Sequence, residues 1–353
     1  MRKVLLSLLI IMPAYAVAKT TVTFDLPDYF PSIDSQAGIA ESFQDKIDAN
    51  GDFLAEANML ANISGYPIGS VSIGVFPHFT AGAGAALGFS NLKYFDDKSV
   101  DGSFPAIGIS PVVFFGTGIS DKVDIIGKFC YFDIFYYNPD SINKISEYAK
   151  IDKFKVVGIG GKIRYKIVDE AVVVPFLLKL EGINVSAGAD ILRGVLEMSR
   201  EIDGDLGSFD VDPDGSGPAP EGTHSVFYDG ELDGKLKWFE VSAALNANAY
   251  FNIAKIFNLY TGFGCAFGFG HFTLSADSSV AISTDPIPIV NPTGELGTAL
   301  MESSSKYYPY PVIPTYLFGL EFNLFMFKLT AETMVNLKNK EDVTLTLGAR
   351  FQF

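Results

Sequence analysis

The last eleven residues of the chain, VTLTLGARFQF, alternate between apolar side chains and positions that are polar or glycine. One parity is wholly apolar, and it comprises Val343, Leu345, Leu347, Ala349, Phe351 and Phe353. A repeat of two places successive side chains on opposite faces of a β-strand. The same alternation recurs within 153–168, 237–251 and 328–337. The pattern therefore predicts an all-β chain whose strands each have one apolar face.

Read back from the end of the chain, runs of this kind predict ten strands. They lie near 70–91, 103–117, 123–137, 152–167, 171–188, 235–250, 256–275, 308–323, 326–337 and 342–353. Short connections alternate with long ones, and the longest are 189–234 and 276–307. That order is typical of a transmembrane antiparallel up-and-down β-barrel with its long loops outside the cell. A hairpin within 70–91 and a further strand within 206–234 would raise the number to twelve.

The first eighteen residues, MRKVLLSLLIIMPAYAVA, have the three parts of a secretory signal peptide. Arg2 and Lys3 precede an apolar run, and Ala16 and Ala18 mark a cleavage site, so residues 1–18 are predicted to be removed. The apolar run is shorter than the roughly 20 residues that a membrane-spanning helix needs. The sequence therefore predicts an exported chain without helical spans.

An exported chain that ends on an alternating strand with a terminal Phe resembles the bacterial outer-membrane β-barrel proteins. In those proteins the last strand is the assembly signal, and Leu345, Leu347, Phe351 and Phe353 match its pattern. The resemblance covers residues 67–353 and identifies no narrower family. It implies a location in the bacterial outer membrane, contact with outer-membrane lipid, and folding by the outer-membrane assembly machinery.

Residues 19–66 follow a different pattern. Apolar residues recur there at helical spacing, as in Ile39, Phe43 and Ile47, which predicts a short helical segment. Two locations fit this segment: a periplasmic extension, or a plug inside the barrel. The strand at 256–275 favours a plug because glycine permits close backbone approach, although glycine also permits strand curvature. The inward positions of that strand are Gly262, Gly264, Ala266, Gly268 and Gly270.

The composition agrees with a membrane barrel. Charged residues make up 19% of the chain and aromatic residues 14%, whereas soluble domains have roughly 25% charged residues. The formal net charge of the whole chain is −15. Since nucleic acid binding depends on positive charge, nucleic acid is not predicted to be a partner.

Charged residues on the polar parity are predicted to line the lumen. They are Lys162, Arg164, Lys166, Glu240, Glu321, Glu332 and Arg350. Mixed signs of this kind either line a selective pore or form ion pairs that close it. A barrel of ten strands leaves little free width, which favours closure.

The connection 189–234 contains one motif that is typical of metal binding. Carboxylates and one hydroxyl follow the calcium-loop spacing D-x-D-x-D-G-x5-E, and they are Asp210, Asp212, Asp214, Ser216 and Glu221. Flanking helices are not evident, and Pro218 and Pro220 lie where such a loop normally curls. The motif is a candidate for a weak calcium site or for a solvated acidic loop, and no other cofactor is predicted.

Two functions are compatible with these patterns. The first is a small channel or gated uptake pore for an unidentified solute, on the basis of the lumen charges and of the glycines on the inward face of the strand at 256–275. The alternative is a structural or surface-interaction protein, adhesin-like, that displays 189–234 and 276–307 on a closed barrel. The three histidines, His78, His224 and His271, belong to no recognisable catalytic motif, so an enzyme is not predicted.

Overall fold

The computed structural model describes residues 19–25, 51–64, 76–90, 106–133, 150–175, 177–210, 223–284 and 293–353. These stretches contain one helix, α1 (51–64), and thirteen strands. The strands are β1 (Lys19–Asp25), β2 (Phe79–Ser90), β3 (Ala106–Ser120), β4 (Val123–Asp133), β5 (Lys150–Val168), β6 (Ala171–Val174), β7 (Leu178–Asp210), β8 (Thr223–Ile253), β9 (Phe257–Thr284), β10 (Glu295–Tyr307), β11 (Val312–Leu324), β12 (Phe327–Asn336) and β13 (Val343–Gln352). The predicted signal peptide, 1–18, lies outside the described residues.

Ten of these strands form a closed antiparallel ring. The order around it is β2-β3-β4-β5-β7-β8-β9-β11-β12-β13, and β13 pairs with β2 to close it. The closing register places Gly348 opposite Gly84 and Phe351 opposite Ala81. The prediction of an up-and-down barrel is therefore confirmed, with ten strands in the ring rather than twelve.

Side chains alternate around the ring between a buried inner face and an apolar outer face. In β3, Ile107, Val113 and Phe115 are exposed, whereas Val112 and Phe114 are buried. Leaving an apolar side chain of this size in water costs about 1.5–3 kcal/mol of free energy relative to burying it. This outer face is therefore suited to contact with lipid. Every backbone group of a closed ring can pair within the protein, as lipid requires. The protein is a transmembrane β-barrel of the bacterial outer membrane.

The two ends of the ring differ in their connections. Tight turns at 121–122, 254–256 and 325–326, and the connection between β6 and β7, lie at one end, called the base here. The same end holds the entry and exit of the barrel, because the Phe79 amide donates to the Phe353 carbonyl at 2.7 Å. Short turns of outer-membrane barrels face the periplasm. The base is therefore periplasmic, and the opposite end is the outer rim.

Three ring strands continue beyond the outer rim and form what we call the outer sheet. It comprises residues 200–210 of β7, 223–236 of β8 and 272–284 of β9, together with β10 and β1. β10 pairs with β9, and β1 pairs with the free edge of β10. The prediction that 189–234 and 276–307 are loops is therefore wrong for their described residues, which are mostly strand. Their low hydrophobicity suggested loops, but backbone pairing outside lipid needs no apolar face.

The polarity of the two faces inverts where the ring meets the outer sheet. On the outward parity of β8, Asp229, Glu231 and Asp233 are exposed above the rim, and Phe239 and Leu245 are exposed below it. The inward parity changes in the opposite sense, from Leu232, Leu236 and Trp238 to Glu240 and Ser242. An outward face that changes from apolar to charged marks the passage from lipid to water. The outer boundary of the membrane therefore lies close to Lys237 and Phe239.

Candidate functional site

The lumen of the ring is the candidate functional site, because all seven charged residues predicted to line it are buried there. None is more than 9% exposed, and the seven are Lys162, Arg164, Lys166, Glu240, Glu321, Glu332 and Arg350. Each lies on the inward parity of β5, β8, β11, β12 or β13. Buried charges persist only when partners compensate for the loss of water, so the arrangement of these partners decides whether the lumen is open.

Glu321 is the centre of one ion-pair group in the periplasmic half. A guanidinium nitrogen of Arg350 lies 2.5 Å from Glu321 Oε2, and Asn258 Nδ2 donates to Glu321 Oε1 at 2.8 Å. Lys328 Nζ lies 3.6 Å from the same Oε1 atom. These groups come from β9, β11, β12 and β13, and they bind one another across the inside of the wall. The carboxylate is thus compensated by two cations and an amide.

A second ion pair lies on the other side of the ring. Arg164 of β5 donates through Nε to Asp124 Oδ1 of β4 at 2.8 Å and also binds Asp124 through its terminal nitrogen. His78, just before β2, places Nε2 3.8 Å from Asp124 Oδ2. All three residues are buried. The charge of Arg164 is thus compensated by a carboxylate inside the wall.

Two tyrosines fill the space between these ion pairs. The rings of Tyr250 and Tyr260 stack with centroids 5.5 Å apart, and both side chains are fully buried. Tyr260 Oη donates to Glu332 Oε2 at 3.0 Å. Phe114, Ile126 and Leu317 complete the buried cluster with the two tyrosines. We call the tyrosines and the two ion-pair groups the inner layer.

The outer half of the lumen is occupied by α1. Residues from six ring strands, β2, β3, β4, β8, β9 and β13, contact or hydrogen-bond this helix. Its buried side chains include Ala57, Met59, Leu60 and Ile63. Contacts on all sides of a helix are possible only inside the ring. The structure thus places residues 51–64 of the predicted 19–66 segment in the lumen, whereas residues 19–25 form β1 of the outer sheet and not a helix. No helix among the described residues has the length and apolar character needed to cross a membrane.

Polar contacts hold the C-terminal end of α1. Asn62 Nδ2 donates to Glu240 Oε1 at 3.1 Å and to Ser242 Oγ at 3.2 Å. Lys128 Nζ donates to the backbone and side-chain oxygens of Asn62 at 2.8 and 2.9 Å. Thr346 Oγ1 donates to the Ser64 carbonyl at 3.2 Å. Side chains of three wall strands, β4, β8 and β13, thus hold this part of α1 in place.

Glycines of the wall allow α1 to lie close to the sheet. A Cβ at Gly88 would lie 2.0 Å from the Ala57 carbonyl oxygen, and one at Gly108 would lie 2.5 Å from the same backbone. On β9, a Cβ at Gly268 would lie 2.2 Å from the Met59 side chain. Gly268 is one of the inward glycines predicted on the strand at 256–275. Gly88 and Gly108 were not predicted to lie near the helix. Their inward parity in β2 and β3 was the signal available in the sequence.

A pair of carboxyl groups lies at the outer end of the lumen. Glu56 of α1 interacts with Asp342, whose oxygens accept from Ser90 Oγ at 2.6 Å and from Asn336 Nδ2 at 3.0 Å. Burial, and then the negative charge of Asp342, raise the pKa of Glu56 to about 9. Glu56 therefore carries a proton at neutral pH while α1 is in place.

The remaining predicted site residues lie elsewhere. Asp210 ends β7, and Asp212, Asp214, Ser216 and Glu221 lie outside the described residues, so the calcium site stays a prediction. Leu345, Leu347, Phe351 and Phe353 are exposed on the outer face of the ring, at 40%, 54%, 55% and 62%. That position presents them to lipid, and their role as an assembly signal stays a prediction.

Comparison with solved structures gives matches of low sequence identity. The translocator domain of the autotransporter NalP from Neisseria meningitidis is 11% identical, with 84% of this chain and 100% of that chain covered and a TM-score of 0.33. The attachment invasion locus protein Ail of Yersinia pestis is 13% identical, with 78% and 99% covered and a TM-score of 0.25. The Ralstonia pickettii toluene transporter TbuX is 8% identical, with 86% and 98% covered and a TM-score of 0.25.

Comparison with curated proteins gives no match. A family model, described as Lsa36-like, matches residues 32–353. The match includes α1, all ten strands of the ring and four of the five segments of the outer sheet. This barrel, with its filled lumen and its sheet beyond the rim, belongs to the Lsa36-like family.

Proposed function

We propose that this protein is a closed outer-membrane barrel that acts at the cell surface through its outer sheet, as a structural or surface-interaction protein. The observation that carries the proposal is the filling of the lumen at two levels. In the outer half, α1 is surrounded by six strands, and in the inner half Tyr250 and Tyr260 stack between two ion-pair groups. A solute would have to displace both levels in order to pass.

The charge of the outer sheet supports a partner of positive charge. Within the segments that define this sheet there are eleven Asp and Glu residues against four Lys and Arg residues. Three of the acids, Asp229, Glu231 and Asp233, alternate along β8 and are exposed. Complementary charge steers association and suppresses wrong partners. A binding surface of this kind favours a basic protein or peptide.

Single-channel recording in a planar bilayer tests whether the barrel is closed. The refolded chain is compared with a variant that lacks residues 19–66, and with a control that lacks only residues 19–25 and keeps α1. A fourth protein combines the longer deletion with Tyr250→Ala and Tyr260→Ala. We expect steps only from the fourth protein, because the inner layer remains when α1 is removed. Discrete steps from the full chain would overturn the proposal.

The second candidate function is a gated uptake pore with α1 as the gate. It is favoured by the protonated Glu56 beside Asp342, since loss of that proton would place two like charges together at the outer end of the plug. Steps from the chain that lacks 19–66, with silence from the full chain and from the control that lacks 19–25, would favour this candidate over the closed barrel.

A further inference from the structure

The N-terminal strand β1 lies at the end of the ring opposite to the base. It pairs with β10 from Lys19 opposite Ser304 to Asp25 opposite Thr298. Those β10 residues pair in turn with 275–281 of β9, which lie beyond the change in polarity between ring and outer sheet. β1 is therefore on the water side of the outer boundary of the membrane.

The strand that follows α1 begins at the base. The Phe76 amide donates to Asp121 Oδ1, in the first periplasmic turn, at 3.1 Å. The Gly118 amide donates to the His78 carbonyl at 3.0 Å, and Phe79 pairs with Phe353. Along the chain, the described residues thus pass from the outer sheet, through the lumen, to the periplasmic end.

The position of α1 gives the direction of this passage. Its first described residue, Gly51, lies against the ring of Tyr307, which ends β10 at the outer rim. The carbonyl of its last described residue, Ser64, accepts from Thr346, which lies four residues further into the barrel than Asp342. The helix enters from the outside and points inward. A plug that enters from the periplasm would have the opposite direction.

From these three placements we infer that the N-terminal strand of this protein is displayed on the cell surface and that the chain threads the barrel from the outside to the periplasm. The outer sheet is then completed by a strand from the N-terminal segment, whose Thr21 and Thr23 are exposed. A periplasmic partner cannot pull α1 out by its N-terminal end, because that end is outside the cell. This path of the chain is the same whether the barrel is open or closed.

Cysteine labelling of whole cells tests this inference. Thr21→Cys and Thr23→Cys are made singly and treated with a charged maleimide that does not cross the outer membrane. Lys340→Cys, in the exposed outer turn at 337–342, is the control for the cell surface, and Lys122→Cys, in an exposed base turn, is the control for the periplasm. The parent chain gives the background, since Cys130 is buried and Cys265 lies on the lipid-facing parity of β9.

We expect at least one of the two N-terminal sites to be labelled in intact cells to the extent of Lys340→Cys, while Lys122→Cys reacts only after permeabilisation. Protection of both sites in intact cells would overturn the inference. Both substitutions replace exposed side chains. Export and folding of each variant are checked by its heat-modifiable migration on a gel.

Discussion

The ring and the outer sheet are made partly of the same strands, yet they solve opposite solvation problems. In β9, Phe263 and Phe269 face outward within the ring, at 64% and 56% exposed, and small residues face the lumen. Further along the strand, Phe272 and Ile282 are buried on the inward face, and Asp277 is exposed on the other. The backbone pairing continues unchanged through this transition. Backbone hydrogen bonds between strands thus form the sheet in both regions, whereas the surrounding medium, lipid or water, decides which face of the sheet is apolar.

The ring and the outer sheet should differ in their sensitivity to substitution. In the ring, polar groups are buried and depend on specific partners, so removal of one partner leaves a charge without compensation. In the outer sheet, the outward acids Asp229, Glu231 and Asp233 are exposed, so water solvates their charges. Substitutions in the lumen should therefore have large effects, and changes to the outer sheet should leave the ring intact.

The largest effect is expected from Arg350→Ala. It removes the guanidinium that lies 2.5 Å from the buried carboxylate of Glu321, and breaking a buried pair costs about 3–5 kcal/mol. Urea unfolding of the refolded barrel in lipid vesicles measures the loss. The matched control is Lys179→Ala, which breaks the exposed pair with Glu170 and should cost less than about 1 kcal/mol. Equal losses for the two variants would contradict the prediction.

A double substitution sharpens that measurement. When Glu321→Ala accompanies Arg350→Ala, no carboxylate remains without its main partner, so part of the stability should return. A double variant as unstable as Arg350→Ala alone would show that packing volume, and not the ion pair, is what the wall loses.

The next effect in size is expected from Gly88→Ala. The new Cβ would lie 2.0 Å from the Ala57 carbonyl oxygen, and an overpacked contact costs about 1–3 kcal/mol. We expect α1 to be displaced, and the emission of Trp238, which shares a buried apolar cluster with Ala55, to shift to the red. The control is Gly127→Ala on the outer face, whose Cβ would meet its nearest atom at 3.9 Å. The emission of the control should match that of the parent chain.

A pH-dependent effect is expected at Glu56. Because the pKa of Glu56 is raised from 4.5 to about 9 while α1 is in place, the docked helix holds a proton that the free helix releases. Docking is strongest below the ordinary carboxyl pKa and weakens as the pH rises toward 9. Emission of Trp238, followed from pH 5 to pH 9, should show this change. Glu56→Gln should flatten the profile, and Glu341→Gln, in the outer turn, should leave it unaltered.

The smallest effect on the ring is expected when the tip of the outer sheet is removed. Asp203 lies opposite Asp229 in the β7–β8 ladder, so residues 204–228 can be replaced by a two-residue Asn-Gly turn. The unfolding free energy of the ring should change by less than about 1 kcal/mol, because Asp203 and Asp229, between which the removed segment lies, are already beyond the rim. Binding of a basic peptide by whole cells should fall. A barrel that no longer folds would contradict the division between ring and outer sheet.

The sequence by itself determined the ring, because a period of two is written into each strand and the connections alternate in length. Strands such as 326–337 and 342–353 were predicted within a residue or two of β12 and β13. The inward parity of the seven lumen charges also followed from the alternation alone, since one backbone geometry fixes the direction of every side chain. The long strands β7, β8 and β9 were cut short, because their outer parts lack the apolar parity on which the prediction depended.

Only the tertiary structure decided what fills the ring. Helical spacing in 19–66 predicted a helix but gave no location, since a periplasmic helix and a plug can have the same periodicity. The contacts of Asn62 with Glu240 and of Ala57 with Gly88 and Gly108 join positions far apart in the chain, and no local pattern encodes such distances. The same holds for β1, whose alternation is that of any strand. Its place at the cell surface follows from its pairing with β10, which is a property of the folded chain alone.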